Sequence, residues 1–132
     1  IANAVLNEVV ENDLIENARI VGDYLKNGLE RLASQQSIIG DVRGKGLLLA
    51  VEIVSDVRTK SMFNMDQRAI YRISELGIKN GILLYTRKTA KGENGEWLMI
   101  APPLISTTDQ CDDFLSRLNE TLKDFQKEQG II

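Results

Sequence analysis

The residues able to carry chemistry in this chain are few, and what is missing narrows them further. Histidine is absent and Cys111 is the only cysteine. A His-based triad, a histidine general base and a histidine-ligated metal are therefore excluded within these residues. A lone cysteine forms no internal disulfide, which points to a reducing, cytoplasmic setting. Lysine could form a Schiff base, but only where desolvation or a neighbouring cation lowers its pKa. Lys26, Lys45, Lys60, Lys79, Lys88, Lys91, Lys123 and Lys127 all stand in polar stretches that read as exposed. Glu52 lies inside the apolar run from Leu47 to Val54, where a charge must face solvent or be paired. Arg43 and Arg72 are its expected partners, and its role reads as structural. Asp109, Asp112 and Asp113 crowd the start of a helix, where they favour the positive end of its dipole.

Two further patterns suggest anions and do not hold up. Gly44-Lys45-Gly46 resembles a phosphate-binding turn, but such a loop must open into a helix N-terminus. Here the glycines feed an apolar strand, so a turn or bulge is expected. The cluster Arg87-Lys88-Thr89-Ala90-Lys91 is followed by glycines and glutamates and reads as a solvated loop. By residue chemistry alone no catalytic residue, cofactor-binding residue or metal ligand is expected in the chain.

The elements that would position these groups follow from periodicity. Apolar residues at 1, 5, 6, 9 and 10 give a helical stripe with no cap before it. That opening reads as the end of a longer helix joining a preceding domain, over residues 1–12. Asp13 with Glu16 resembles a capping box for a second helix, whose apolar face is Leu14, Ala18, Val21, Leu25, Leu29 and Leu32. Leu47 to Val54 reads as a buried strand and Gln67 to Leu76 as a third helix. Gly81 to Tyr85 and Trp97 to Ile100 read as strands joined by a polar loop from Thr86 to Gly95. Pro102 and Pro103 stop the second of them, since proline donates no ladder hydrogen bond. Thr107 with Gln110 caps a last helix whose buried face includes Cys111, Phe114, Leu118, Leu122 and Phe125. The order helix, helix, strand, helix, strand, strand, helix predicts a single α+β domain in two layers, a small antiparallel sheet with helices packed on one face.

The bulk properties agree with one folded unit. The chain has 132 residues, enough to bury roughly two-thirds of its unfolded surface. The formal net charge is −3 with acids and bases interspersed, which excludes a clustered basic face for nucleic acid. No apolar run is long enough to span a membrane.

Three segments, in order and with suitable spacing, resemble the C-terminal small domain of class III aminotransferases, the pyridoxal-phosphate-dependent fold type I group. They are Val42-Arg43-Gly44-Lys45-Gly46-Leu47-Leu48-Leu49-Ala50-Val51-Glu52, Gly81-Ile82-Leu83-Leu84-Tyr85, and Leu98-Met99-Ile100-Ala101-Pro102-Pro103-Leu104-Ile105-Ser106-Thr107. Glu16-Asn17-Ala18 and the spacing Gly22, Leu25, Leu29 also fit. The resemblance implies a large catalytic domain outside these residues that carries the lysine and the pyridoxal phosphate, a homodimer, and no activity in this part alone. It implies that Arg43 is a structural strand-entry residue. Family members acting on α-amino acids place a carboxylate-gripping arginine three residues before the Pro-Pro pair, where Met99 stands here. This departure tilts the expected substrates towards amines and ω-amino acids, with a 2-oxo acid or aldehyde as acceptor. Arg87, in the loop region after the preceding strand, is then the candidate carboxylate grip, and Arg87 and Met99 are the candidate substrate residues. The rival reading is a ferredoxin-like module that binds a regulatory small molecule, from the strand, helix, strand, strand, helix order after Leu47.

Overall fold

The computed structural model describes residues 2–88 and 95–132. Helices α1 (Ala2–Glu11) and α2 (Leu14–Gln35) precede a hairpin of β1 (Ile39–Lys45) and β2 (Leu48–Ile53). A 3-10 turn at Met65–Gln67 leads into α3 (Ala69–Lys79), then β3 (Tyr85–Lys88), β4 (Glu96–Ile100) and α4 (Thr108–Glu128). The strands form one antiparallel sheet in the order β1-β2-β4-β3. Helix α2 lies against β1 and β2, α3 against β3 and β4, and α4 packs on both α2 and α3. The predicted α+β arrangement, with helices on one face of a small antiparallel sheet, is the observed one.

Side-chain alternation explains the layering. Leu49, Val51 and Ile53 of β2 and Leu98 and Ile100 of β4 are buried. They meet Leu25, Leu29, Ile73, Leu118, Leu122 and Phe125 from the helices in one core. Phe63 closes it with an edge-on contact to Phe125, ring centroids 5.3 Å apart. Along α2 and α4 the seam is polar where it leaves the core. Gln36 donates to Asn119 Oδ1 at 2.6 Å, Gln126 donates to Gln36, and Ser37 donates to Gln126 Oε1 at 2.8 Å. Gln36 and Gln126 are buried, so these bonds are what make their burial tolerable.

Several local expectations need correction. The turn expected at Gly44-Lys45-Gly46 falls at Gly46 and Leu47, and the residues before it, Ile39–Lys45, form strand β1, which was not expected. A bulge sits at Gly40, where the pairing shifts between Ile39 and Asp41. From Leu48 onward the elements run strand, helix, strand, strand, helix, the order on which the ferredoxin-like rival was based, and β1 adds a further strand beside β2. The Asp13–Glu16 capping box does not form. Asp13 turns left-handed between α1 and α2, at φ 49°, and its side chain caps nothing. Glu16 instead accepts from Arg19 Nε at 2.8 Å. The Thr107–Gln110 box forms as expected, with Gln110 N donating to Thr107 Oγ1 and Thr107 N to Gln110 Oε1.

The strand expected at Gly81–Tyr85 lies further along, at Tyr85–Lys88. The β3–β4 register pairs Tyr85 with Met99 and Thr86 with Leu98. Continued backwards, it would set Ile82 against Pro102 and Gly81 against Pro103, and proline offers no amide to a ladder. The chain there is extended, with Ile82 and Leu84 buried and Leu83 outside, yet it has no strand partner. The same shift takes Arg87 and Lys88 out of the predicted polar loop and into a strand. Residues 89–94, the rest of that loop with Lys91, lie outside the described residues.

Helix α1 buries no residue, and Val5, Leu6 and Val10 are exposed. Among the described residues no helix is long and apolar enough to cross a membrane.

Candidate functional site

The candidate residues Arg87 and Met99 stand on the sheet face turned away from the helices. Cross-strand pairing lines up Arg43, Ala50, Met99 and Tyr85 in one row and Asp41, Glu52, Trp97 and Arg87 in the next. Direct partners in an antiparallel ladder share a face, so these rows are neighbours on one surface. Met99 and Arg87 are thus adjacent rows, separated by about 7 Å along the strand direction.

The charged groups in these two rows have assignable settings. Arg43 Nε lies 3.0 Å from Asp41 Oδ2, and its Nη2 lies 3.6 Å from Glu52 Oε1. The expected Arg43–Glu52 pair therefore forms and holds β1 to β2. Arg72, the other partner considered for Glu52, is taken by Glu75 and Glu128, each at 2.7 Å. Arg87 is different. Its guanidinium carbon sits 4.6 Å from the centroid of the Tyr85 ring. No carboxylate among the described residues pairs with it. On the opposite face of the same strand, Lys88 is largely buried and forms an ion pair with Glu96, whose side chain is 5% exposed. The expectation that every lysine is exposed fails at Lys88. Its strand position points it under α3, where its ammonium also lies 5.1 Å from the Tyr71 ring.

Met99 and Tyr85 also border a cleft of about 560 Å³ between the β3–β4 end of the sheet and the start of α4. Leu83, Pro102, Cys111 and Phe114 complete its apolar walls, with Ser106 and Gln110 as polar members. Its size and composition are those of a small-molecule site. Arg87 does not line it; Tyr85 does, and lies under the guanidinium. Tyr85 is the residue that sequence reasoning missed. Only the β3–β4 register reveals that it joins Met99 to Arg87.

The cleft is held open by contacts between distant segments. Asn17 of α2 donates to the carbonyls of Leu104 at 2.6 Å and Ser106 at 3.1 Å, which pins the Pro-Pro-Leu turn to α2. Tyr24 donates to Asp112 Oδ1 at 2.8 Å, and that bond is the main reason its phenol is pushed up from the usual range. Asp113, hydrogen-bonded to Arg117, is held below the usual carboxylate range. Burial pushes the Cys111 thiol up, which makes it a poor nucleophile where it stands. Asp112 and Asp113 at the start of α4 thus have specific partners as well as a favourable dipole.

The Gly44–Gly46 segment cannot serve as a phosphate cradle. A Cβ at Gly22 of α2 would lie 2.5 Å from Gly46 Cα, so the hairpin turn is packed flat against the helix. The described residues hold no lysine in an apolar pocket apart from Lys88, which Glu96 neutralises.

The comparisons with known proteins decide the family. The family model for class-III aminotransferases matches residues 1–122. The chain belongs to the class III aminotransferase family. An uncharacterized aminotransferase of Bacillus subtilis, YodT, is 37% identical over 125 residues, covering 93% of this chain and 28% of that protein. A leucine/methionine racemase of Thermococcus litoralis is 32% identical over 127 residues, covering 96% of this chain and 26% of that protein. Among solved structures, an amine transaminase from an uncultivated Pseudomonas species, in its PLP-bound form, superposes with a TM-score of 0.80 at 32% identity. That match covers 93% of this chain and 26% of the other. The chain therefore spans about a quarter of the length of the proteins it matches.

Proposed function

We propose that this chain is the C-terminal small domain of a pyridoxal-phosphate-dependent aminotransferase. The whole enzyme transfers an amino group from an amine or ω-amino acid to a 2-oxo acid or aldehyde. The observation that carries this reading is the family match across residues 1–122 combined with coverage of only about a quarter of each relative. The three-quarters of a relative's length that lie outside the match supply the reactive lysine and hold the cofactor. The residues described here shape the substrate end, with Met99 and Tyr85 as apolar floor and Arg87 as the cation available to a carboxylate. The parent enzyme is a homodimer that works in the cytoplasm; the single cysteine suits a reducing compartment. The chain alone is inactive.

The substrate preference rests on Met99. A bidentate arginine at that place would grip an α-carboxylate; a thioether offers only dispersion and a weak acceptor. The test is a donor screen on the full-length parent protein loaded with pyridoxal phosphate, with pyruvate as acceptor. Turnover of amines and ω-amino acids above ornithine-type donors is expected, with none from the 132-residue chain. A clear preference for ornithine-type donors would overturn the substrate assignment. Loss of optical activity from an amino acid without any acceptor would replace transfer by racemisation, the activity named for the Thermococcus relative.

A further inference from the structure

Tyr85 and Arg87 face the same way on β3, and the Arg87 guanidinium carbon lies over the Tyr85 ring, 4.6 Å from its centroid. We infer that Tyr85 is a positioning residue for Arg87: the phenol ring presents the guanidinium, its donors taken by no described carboxylate, to the carboxylate of an ω-amino acid or oxo acid whose carbon chain runs over Tyr85 and Met99. The inference rests on the reading of Arg87 as the carboxylate grip and names what orients it.

The geometry of a guanidinium makes this arrangement useful. Its positive charge is felt above and below the plane, while its N–H donors lie within the plane. Stacking on a ring occupies a face and leaves the edge intact, so the bidentate fork is still available. An ion pair uses the opposite resource, engaging the edge and consuming the donors. Arg43, on the same sheet face, shows that second state, since Asp41 and Glu52 both take its donors. Arg87 has a platform and no described carboxylate. Its backbone is fixed by pairing with Trp97 in the ladder, so the stack sets the direction of the remaining side chain.

The placement also selects the ligand. Met99 is the direct cross-strand partner of Tyr85, and both border the apolar cleft with Leu83 and Pro102. From that row to Arg87 is one step of about 7 Å along the strand. A molecule with an apolar stretch of several carbons ending in a carboxylate matches floor and cation together. An amine lacking the carboxylate uses the floor alone.

The experiment uses the full-length parent enzyme and two readouts. One is binding of butyrate, a non-reacting carboxylate, by titration calorimetry. The other is the ratio of KM for an ω-amino acid to KM for a chain-matched amine. Arg87→Ala should weaken butyrate binding and raise that ratio at least tenfold. Tyr85→Leu should raise it about two- to fivefold, the scale of an exposed cation–π contact. Tyr85→Phe, which keeps the ring face, should restore the wild-type ratio. In an Arg87→Ala background, Tyr85→Leu should add nothing. If Arg87→Ala leaves the ratio and butyrate binding unchanged, the carboxylate reading of Arg87 fails and takes this inference with it. If Arg87→Ala acts but Tyr85→Leu does not, or if Tyr85→Leu raises both KM values equally, the positioning role alone is overturned.

Discussion

Replacing Gly22 by alanine tests how the β1–β2 hairpin is seated on α2. In an unconstrained helix, Gly→Ala gains about 0.8–1.0 kcal/mol. At this position the added Cβ would lie 2.5 Å from Gly46 Cα, with the Gly46 carbonyl closer still. Ordinary contact needs about an ångström more. The obstacle is backbone, held at φ 56° in the hairpin turn, so no rotamer change relieves it. Overpacking of this kind costs about 1–3 kcal/mol, and rigid backbone puts the cost at the upper end. Net of the helix gain, Gly22→Ala should destabilise the chain by about 2 kcal/mol, or roughly 8 °C in Tm for this size. Gly28→Ala is the matched control in the same helix. Its nearest neighbour is Cδ1 of the half-buried Leu115, as close as the backbone is at Gly22, but this is the far end of a flexible side chain that can turn aside. That variant should be neutral or slightly stabilised. Urea and thermal unfolding by circular dichroism give the magnitudes, and native-state hydrogen exchange should localise the Gly22→Ala loss to α2 and the hairpin. Equal stability of the two variants would refute the argument, because the gap between backbone and side-chain obstacles would then count for nothing.

Other predictions rest on single contacts. Lys88→Met strands the buried Glu96 carboxylate and should cost about 3 kcal/mol in urea unfolding, while Lys88→Met with Glu96→Leu should recover most of it. Thr107→Ala removes the capping box of α4 and should cost about 1 kcal/mol, read by the same assay. Glu128, hydrogen-bonded to Arg72, is held below the usual carboxylate range. A lowered folded-state value contributes stability that is present above the unfolded pKa of about 4.3 and is lost as pH falls through the folded one. Wild type should therefore exceed Glu128→Gln in stability at neutral pH, and the difference should vanish in unfolding experiments at strongly acid pH.

The elements that a one-dimensional pattern specifies were legible. Leu14 to Leu32 and Cys111 to Phe125 repeat at helical spacing because one face of each helix meets the core, and Thr107 announces its cap. Leu47 to Val54 and Trp97 to Ile100 stand out because the central strands are apolar. Strand β1 was hidden because five of its seven residues are Gly40, Asp41, Arg43, Gly44 and Lys45, and only Ile39 is fully buried. Its strand character comes from backbone pairing with β2, which leaves no mark on composition. The start of β3 depended on Pro102 and Pro103 just beyond the partner strand, so no local window could place it. For the site, Met99 and Arg87 were singled out and do share a face, but Tyr85 enters only through register. The pairing of Lys88 with Glu96 was invisible for the same reason, since polar residues near a loop give no sign of facing inward.

Among the described residues helix α1 buries none, and it packs on α2 across a left-handed corner at Asp13. A ten-residue helix is marginal by itself in water, and this one borrows little from the core. Its backbone amides should consequently open independently of the rest and exchange with solvent deuterium long before those of β2 or α4. The unit that folds and unfolds cooperatively then begins at Leu14, the first buried residue, and limited proteolysis should trim the chain back to the Asn12–Asp13 corner and stop there.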